Sequence, residues 1–169
     1  GDRRPECLQF LYEGGLSLSG LVQRFDAEDG DLLTDGTVSD QSSPEYARMH
    51  ADEDHVLAME SDGGVFKPLG YGFTGSDAAF EMVSEIGTLL DRIGSGRITR
   101  GGGGADIGPL MRTGVPGMGF SVDGTRYFWY HHTDADTLDK LDPDEVALCV
   151  ATFAVMAYIV ADMPTRLPR

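Results

Sequence analysis

The chain has 169 residues, of which 41% are hydrophobic, and a formal net charge of −15. This length suits one domain or a large part of one, and the hydrophobic fraction is sufficient for a buried core. The acidic balance disfavours nucleic acids and anionic membrane surfaces as partners, because their phosphates would be repelled.

The first part of the chain differs in character from the rest. Residues 1–45 mix Gly, Ser and Asp without sustained periodicity. Within them, residues 8–12 are predicted as a short strand, residues 16–25 as a strand or weak helix, and residues 26–44 as a loop or disordered segment. From residue 46 onward the local signals agree with one another. We therefore divide the chain into an irregular N-terminal segment, 1–45, and a folded region, 46–169.

The folded region is predicted to alternate between strands and helices. Ser76, Asp106 and Asp142 stand where helix N-caps are expected. Hydrophobic periodicity predicts six elements in the order strand, helix, strand, helix, strand, helix, over residues 55–60, 77–93, 98–99, 106–112, 118–122 and 143–162. This order indicates an α/β fold in which helices pack on a mixed β-sheet.

The last predicted helix is nearly continuous in its apolar residues. Residues 146–161 are flanked by acidic side chains, and their run is shorter than the ~20 residues needed to cross a bilayer. We therefore predict a core helix, buried on most sides, and no membrane span. Cys149 is predicted to be a small core residue. A zinc–thiolate site is disfavoured, because neither Cys7 nor Cys149 belongs to a CxxC pair. No basic-then-apolar leader follows Gly1.

Two adjacent histidines form the most informative local pattern. His131 and His132 lie in a polar turn with Asp134 close behind. Neutral imidazole is a zinc ligand, and a nearby carboxylate can orient its ring. A histidine pair on a protein surface is more often solvated than bound to a metal ion. The interpretation as a metal site is nevertheless supported by a second acidic residue, Asp62. Asp62 follows Glu60 at the end of a predicted strand, where α/β proteins usually carry their chemistry.

Other motifs leave alternatives open. The run Gly101 to Gly104 lacks the partners of a phosphate loop. It either lets the backbone approach a ligand or a neighbouring strand closely, or forms a flexible surface loop. Phe128, Trp129 and Tyr130 either form an aromatic wall or divide between core and surface. His50 and His55 are interpreted as surface or strand-edge residues.

Several longer segments resemble a known family. HVLAMESDGGVFKPLGYGFTGS, GGGGADIGPLMRTGVPG, YFWYHHTDADTLDKLDP and VMAYIVADM are similar to the C-terminal half of the catalytic domain in co-catalytic di-zinc exopeptidases of the carboxypeptidase Q type. The resemblance covers about residues 46–169. It implies a peptidase that releases amino acids from dipeptides or short peptides. It also implies a secreted or periplasmic location and is compatible with a homodimer.

The resemblance also implies roles for individual residues. The family holds two zinc ions with two histidines and three acids, one of them bridging, and uses a further glutamate as general base. Asp62 and His132 fall on two of the ligand positions. His131 falls on a position that reaches the reacting carbonyl oxygen. Three residues resemble the loop that lines the substrate cleft, namely Gly103, Gly104 and Asp106.

The N-terminal segment departs from the family pattern. A Glu-Glu pair is expected near Gly36 and Thr37, where no acid pair is present, and no histidine precedes His50. Residues 1–45 therefore read as foreign or frame-shifted sequence, and the chain as an incomplete copy that lacks the general base and the bridging Asp. The alternative is a catalytically inactive α/β module that binds a peptide or a partner chain. A nucleotide-binding domain using the glycine run is a third, weaker reading.

Overall fold

The structure, a computed structural model, describes residues 9–12 and 42–169. These residues form five strands, β1 (Gln9–Tyr12), β2 (Ala58–Ser61), β3 (Pro68–Thr74), β4 (Arg97–Arg100) and β5 (Gly117–Val122). They also form five α-helices, α1 (Ser42–Met49), α2 (Asp77–Thr88), α3 (Gly108–Met111), α4 (Tyr127–Tyr130) and α5 (Pro143–Asp162). Short 3-10 turns cover Asp91–Ile93, Gly124–Arg126 and Leu138–Lys140. The predicted α/β class is confirmed.

The strands form one mixed sheet in the order β1-β2-β5-β3-β4. β1, β2 and β5 run parallel to one another, while β3 is antiparallel to β5 and β4 is parallel to β3. The C-terminal ends of β1, β2 and β5 therefore lie at the same edge of the sheet as the beginnings of β3 and β4. We call this the carboxyl edge.

Helices cover both faces of the sheet. On one face α2 and α5 pack against a core that includes Tyr71, Phe73 and Phe120. Side chains alternate along a strand, so Ala58 of β2 points away from its neighbour Met59 to the opposite face. There Ala58 packs with buried residues in and next to α3, and partly buried residues of α1 and α3 cover this cluster. The cluster consists of Ala58, Ile107, Leu110, Val115, Tyr46, Ala47 and Met111.

Two predicted helix caps are present. The Ser76 hydroxyl accepts the amide N–H of Ala79 at 3.2 Å, and α2 begins at the next residue. Asp142 accepts the amide N–H of Asp144 at 2.8 Å at the start of α5. Both side chains satisfy amide donors that a helix leaves free in its first turn. The helix predicted over 77–93 is shorter than expected: α2 ends at Thr88, and a 3-10 turn covers Asp91–Ile93.

No strand was predicted over the residues of β3, because its local pattern is weak. Gly70 and Gly72 interrupt its apolar pattern, and both are required by close backbone packing. A Cβ on Gly70, whose φ is +137°, would overlap the carbonyl of Arg97 in β4. On Gly72 it would overlap the carbonyl of Gly101. Residues that weaken a strand prediction are here the ones that allow neighbouring backbones to meet.

The first described segments test only part of the N-terminal predictions. The strand expected over 8–12 is confirmed for β1, which pairs with β2. The loop expected over 26–44 is wrong for its last three residues, because α1 begins at Ser42. The rest of that segment, together with residues 16–25, Gly36, Thr37 and Cys7, lies outside the described residues.

Two further local predictions are wrong. Asp106 does not cap a helix; α3 begins at Gly108, and the Asp106 carboxylate instead accepts the Ser43 hydroxyl at 3.2 Å. For His55, predicted as a surface or strand-edge residue, the surface alternative is wrong. Its side chain lies beside the Tyr46 hydroxyl, 3.4 Å from Nε2, and the residue is only 3% exposed.

The terminal helix α5 is buried on one side only. Cys149 is buried, as predicted, and its thiol donates to the carbonyl of Phe66 at 3.1 Å. Val150 and Tyr158 are 54% and 70% exposed, so the expectation of burial on most sides is wrong. Within the described part of the chain, α5 is the one helix whose length and composition would allow it to cross a membrane.

Tyr71 carries the one buried side-chain polar atom that lacks a hydrogen-bond partner among the described residues. Burial raises the pKa of its hydroxyl far above the usual range. Because an unsatisfied buried polar group costs about 1–3 kcal/mol, Tyr71→Phe is expected to leave stability unchanged or raise it by up to about 1 kcal/mol. Urea denaturation measures this difference. A loss above about 1 kcal/mol would mean that the hydroxyl has a partner, such as a buried water.

Candidate active site

A cleft opens at the carboxyl edge of the sheet. Its volume is about 440 Å³. Asp62, which follows β2, lies on one side of it, and Tyr127 and Phe128 of α4 lie on another. The complete lining consists of Asp62, Gly63, Arg97, Phe120, Ser121, Val122, Gly124, Tyr127 and Phe128. This is the edge at which open α/β sheets usually bind ligands.

The segment that carries α4 is fixed to the body of the protein by polar contacts. Asp123 accepts the amide N–H of Thr125 at 3.0 Å and so starts the turn that leads into α4. Arg126 forms an ion pair with Glu145 of α5, and its guanidinium lies 4.9 Å from the ring centre of Phe66. These contacts hold the first residue of α4 beside the cleft.

His131 stacks on Tyr127, and His132 stacks on His131. The ring centres of Tyr127 and His131 are 4.3 Å apart, and those of His131 and His132 are 3.8 Å apart. The Tyr127 hydroxyl lies 3.2 Å from Nε2 of His131. His132 has a φ of +58° and is the non-glycine residue with positive φ in the described part of the chain. Such a conformation is costly for a side chain with a Cβ, and it is often found at functional sites.

Tyr127 also lies within electrostatic reach of Asp62. Burial raises the pKa of the Tyr127 hydroxyl, and the negative charges of Asp62 and Asp136 add to this effect. Tyr127 therefore interacts electrostatically with Asp62 and stacks on His131. Asp62 and Tyr127 line the cleft, whereas the two histidines are not among its lining residues.

The described residues do not complete a zinc site. Among them, no group of three or more His, Cys, Asp and Glu side chains is arranged to hold a metal ion. Zinc sites in proteins normally use at least three protein ligands. Within the described residues, the predicted ligands Asp62 and His132 therefore fall short of a complete ligand set.

Comparison with known proteins identifies the family. No protein-family profile matches the chain. Carboxypeptidase Q of Mus musculus is 41% identical to it over 115 residues, which cover 68% of this chain and 24% of the mouse protein. Carboxypeptidase Q of Bos taurus is 38% identical over 129 residues, which cover 75% of this chain and 27% of the bovine protein. The chain is homologous to carboxypeptidase Q. It spans about a quarter of the length of these relatives.

A solved structure extends the comparison to the fold. The crystal structure of a peptidase M28 precursor from Shewanella amazonensis SB2B superposes with a TM-score of 0.69 at 31% identity. The match covers 78% of this chain and 30% of the Shewanella chain. The family resemblance read from the sequence is therefore confirmed, and a metallopeptidase-family origin follows for this carboxypeptidase Q homologue.

In this homologue of carboxypeptidase Q, Glu60 points away from the cleft. Its Oε2 accepts the amide N–H groups of Asp106 and Ile107 at 3.0 and 3.1 Å. The residue is 3% exposed, and burial raises the pKa of its carboxyl, while the two amide hydrogen bonds oppose this rise. Glu60 thus anchors the loop before α3. The sequence marked it only as an acid near a strand end.

The glycine run crosses the face of the sheet and packs closely on three strands. Gly102 lies on β3, Gly103 lies beside Gly119 of β5, and Gly104 lies against the Glu60 carboxylate of β2. A Cβ on Gly102 or Gly104 would overlap these neighbours. Of the alternatives read from the sequence, the close approach to neighbouring strands is the one observed.

The glycine-loop residues lie apart from the described cleft. Gly103, Gly104 and Asp106 are absent from its lining. Asp106 contributes its amide to Glu60 and its carboxylate to Ser43, so both of its polar groups hold the loop in place. Their predicted role in binding substrate remains a prediction.

The three consecutive aromatic residues lie in α4 and not in a strand. Phe128 and Trp129 are 81% and 65% exposed, and no residue of α4 is buried. The expectation that they divide between core and surface is therefore wrong. Phe128 lines the cleft, which agrees with the aromatic wall that was the other alternative.

Proposed function

We propose that this chain derives from a zinc-dependent exopeptidase that acts on dipeptides or short peptides, and that it retains the C-terminal part of the active site. Two observations support the proposal. The chain is about 40% identical to carboxypeptidase Q, and Tyr127, which lines the cleft, interacts electrostatically with Asp62 and stacks on His131, the neighbour of His132. The family resemblance adds a secreted or periplasmic location and a homodimer to this proposal.

Three side chains would have distinct roles. Asp62 and His132 would be metal ligands. His131 would contact the carbonyl oxygen of the peptide bond, and its Nε2 lies 3.2 Å from the Tyr127 hydroxyl, a contact that orients the imidazole. Bound zinc would supply a polarised carbonyl and an activated water in such a site.

On its own the chain is expected to hydrolyse dipeptides at no more than the background rate. The family's general base and bridging carboxylate have no counterpart at the positions expected in the sequence. Loss of a general acid–base group alone typically costs about 10²–10⁴-fold in rate. The described residues also leave a metal ion short of ligands.

The second candidate is a catalytically inactive module that binds a peptide or a partner chain. The observation that favours it is the incomplete ligand set among the described residues. The cleft, with Phe120, Tyr127 and Phe128 in its lining, would serve a binding role without any metal. The two candidates differ in their dependence on zinc.

Zinc binding by the purified full chain separates them. We expect weak binding, with a dissociation constant weaker than about 1 µM, because two or three ligands hold zinc less firmly than four. The double substitution of His131 and His132 by Ala is expected to abolish it. Isothermal titration calorimetry with ZnCl₂ measures both. His50→Gln is the matched control, since His50 lies at the end of α1 and pairs with Glu53.

The outcomes assign the function. Histidine-dependent zinc binding supports the metallopeptidase origin of the site, and absence of zinc binding favours the inactive module. Chelator-sensitive cleavage of dipeptides that His132→Ala eliminates would contradict the expected inactivity. In that case residues 1–45 supply the missing ligands and the chain is a complete enzyme.

A further inference from the structure

We propose that Phe128 makes the cleft selective for peptides with an aromatic side chain, which would bind against the Phe128 ring. The inference deepens the proposed function and rests on it, because that function supplies a peptide as the ligand. It names the class of side chain that the site prefers and the residue that determines the preference. The contact itself needs no metal ion.

Phe128 differs from the other exposed apolar side chains in its position. Of the large hydrophobic residues that are exposed in the described part of the chain, it is the one that lines the cleft. Trp129, its neighbour in α4, is exposed but lies outside the lining. Single apolar residues on a protein surface are common and need no explanation. A largely exposed phenyl ring in a cleft is different, because a ligand that enters the cleft can remove the ring surface from water.

The ring of Phe128 is already part of an aromatic cluster. It makes an angle of 82° with the ring of Tyr127, at 5.0 Å between ring centres, and an angle of 83° with the ring of His131, at 6.3 Å. Aromatic rings prefer such edge-to-face contacts or offset stacking, with ring centres about 4.5–7 Å apart. Most of the Phe128 side chain is still accessible. One further ring, supplied by a ligand, can therefore join the cluster.

The rest of the cleft also suits an aromatic side chain. Phe120 and Val122 of β5 add apolar lining, and the volume of about 440 Å³ lies within the usual size range of small-molecule sites. The proposed function places the peptide carbonyl at His131, whose ring centre is 6.3 Å from that of Phe128. A residue next to that carbonyl therefore has its side chain within reach of Phe128. An aliphatic side chain there would gain burial alone, whereas an aromatic one would gain ring contacts as well.

Two neutral probes of matched size test the preference on the zinc-free full chain. N-acetyl-phenylalanine amide carries a phenyl ring, and N-acetyl-cyclohexylalanine amide carries a saturated ring with the same number of carbon atoms. The cyclohexyl group is the more hydrophobic of the two, so burial alone would favour it. We expect the phenyl probe to bind about threefold more tightly, because contacts between aromatic rings add to burial. Titrations followed by NMR give both dissociation constants.

Substitutions assign the preference to one side chain. Phe128→Leu keeps an apolar side chain but removes the ring, and it is expected to abolish the preference for the phenyl probe. Phe128→Tyr keeps the ring and is expected to retain the preference. Trp129→Leu, the matched control, removes an exposed ring from the same helix outside the cleft lining and is also expected to retain it. Because both positions are largely exposed, the variants are expected to fold, which far-UV circular dichroism checks.

Several outcomes would overturn the proposal. They are a phenyl preference retained in Phe128→Leu, a preference lost in Trp129→Leu, no preference in the wild-type chain, and failure of the wild-type chain to bind either probe. The bound phenyl probe is also expected to shift the imidazole signals of His131, which contacts Phe128, and not those of His50 at the end of α1. Equal shifts of both histidines would place the probe elsewhere and contradict the assignment to Phe128.

The same titrations separate this proposal from the proposed function. Because they contain a chelator, the preference between the two rings is measured independently of zinc. A phenyl preference that depends on Phe128, in a chain that binds no zinc, would favour the inactive peptide-binding module and leave this proposal standing. Histidine-dependent zinc binding without a phenyl preference would overturn this proposal alone.

Discussion

Gly104→Ala is expected to lower the free energy of unfolding by about 3 kcal/mol or more. The new Cβ would overlap the Glu60 carboxylate, which is buried and held by two backbone amides. The Glu60 carboxylate cannot move without breaking those hydrogen bonds, and the backbone at residue 104 cannot move away without disturbing its packing on the sheet. The overlap is therefore expected to cost stability. Overpacking of a core typically costs about 1–3 kcal/mol, and loss of buried hydrogen bonds adds to that cost.

A second glycine provides the control. Gly124→Ala introduces the same methyl group where no atom lies within 4 Å of the new Cβ, and Gly124 does not have a left-handed φ. It is expected to change stability by less than about 0.5 kcal/mol. Urea denaturation followed by far-UV circular dichroism compares the two. Equal stability of Gly104→Ala and Gly124→Ala would show that the loop is not packed against Glu60.

The elements that sequence reasoning found are those with local signals. Ser76 and Asp142 cap their helices through side-chain bonds to residues two or three positions away, so the pattern is visible in a short window. β3 was missed for the opposite reason. Its glycines are required by backbones that lie far away in the sequence, such as Arg97 beside Gly70. A sequence window does not contain that neighbour.

In the candidate site, too, the residues with local sequence signals were predicted and the features that depend on distant residues were not. Asp62 and the histidine pair stand out because their residue types and the family resemblance mark them. The anchoring role of Glu60 depends on amides 46 and 47 positions later. This role is a property of tertiary contacts, so residue type alone could not predict it.

Glu60→Ala is expected to destabilise the chain by about 3 kcal/mol, whereas Glu60→Gln should cost less than about 1 kcal/mol. Alanine leaves the amides of Asp106 and Ile107 buried without an acceptor, at about 1–3 kcal/mol for each unsatisfied group. Both amides donate to the same carboxylate oxygen, so the glutamine Oε1 can take its place. Chemical denaturation at pH 7 measures both variants. Equal losses in the two would mean that the negative charge, not the acceptor, holds the loop.

The difference in stability between the wild-type chain and Glu60→Gln is expected to depend on pH. Burial raises the pKa of the Glu60 carboxyl above its usual 4.5. Between the unfolded and the folded pKa the folded chain binds more protons than the unfolded chain, so its stability falls as the pH rises. Glutamine does not titrate. Wild type is therefore expected to lose stability relative to Glu60→Gln as the pH is raised from about 4 to 7. A gain of wild type over Glu60→Gln across that range would mean that the amide hydrogen bonds outweigh burial and lower the pKa of Glu60.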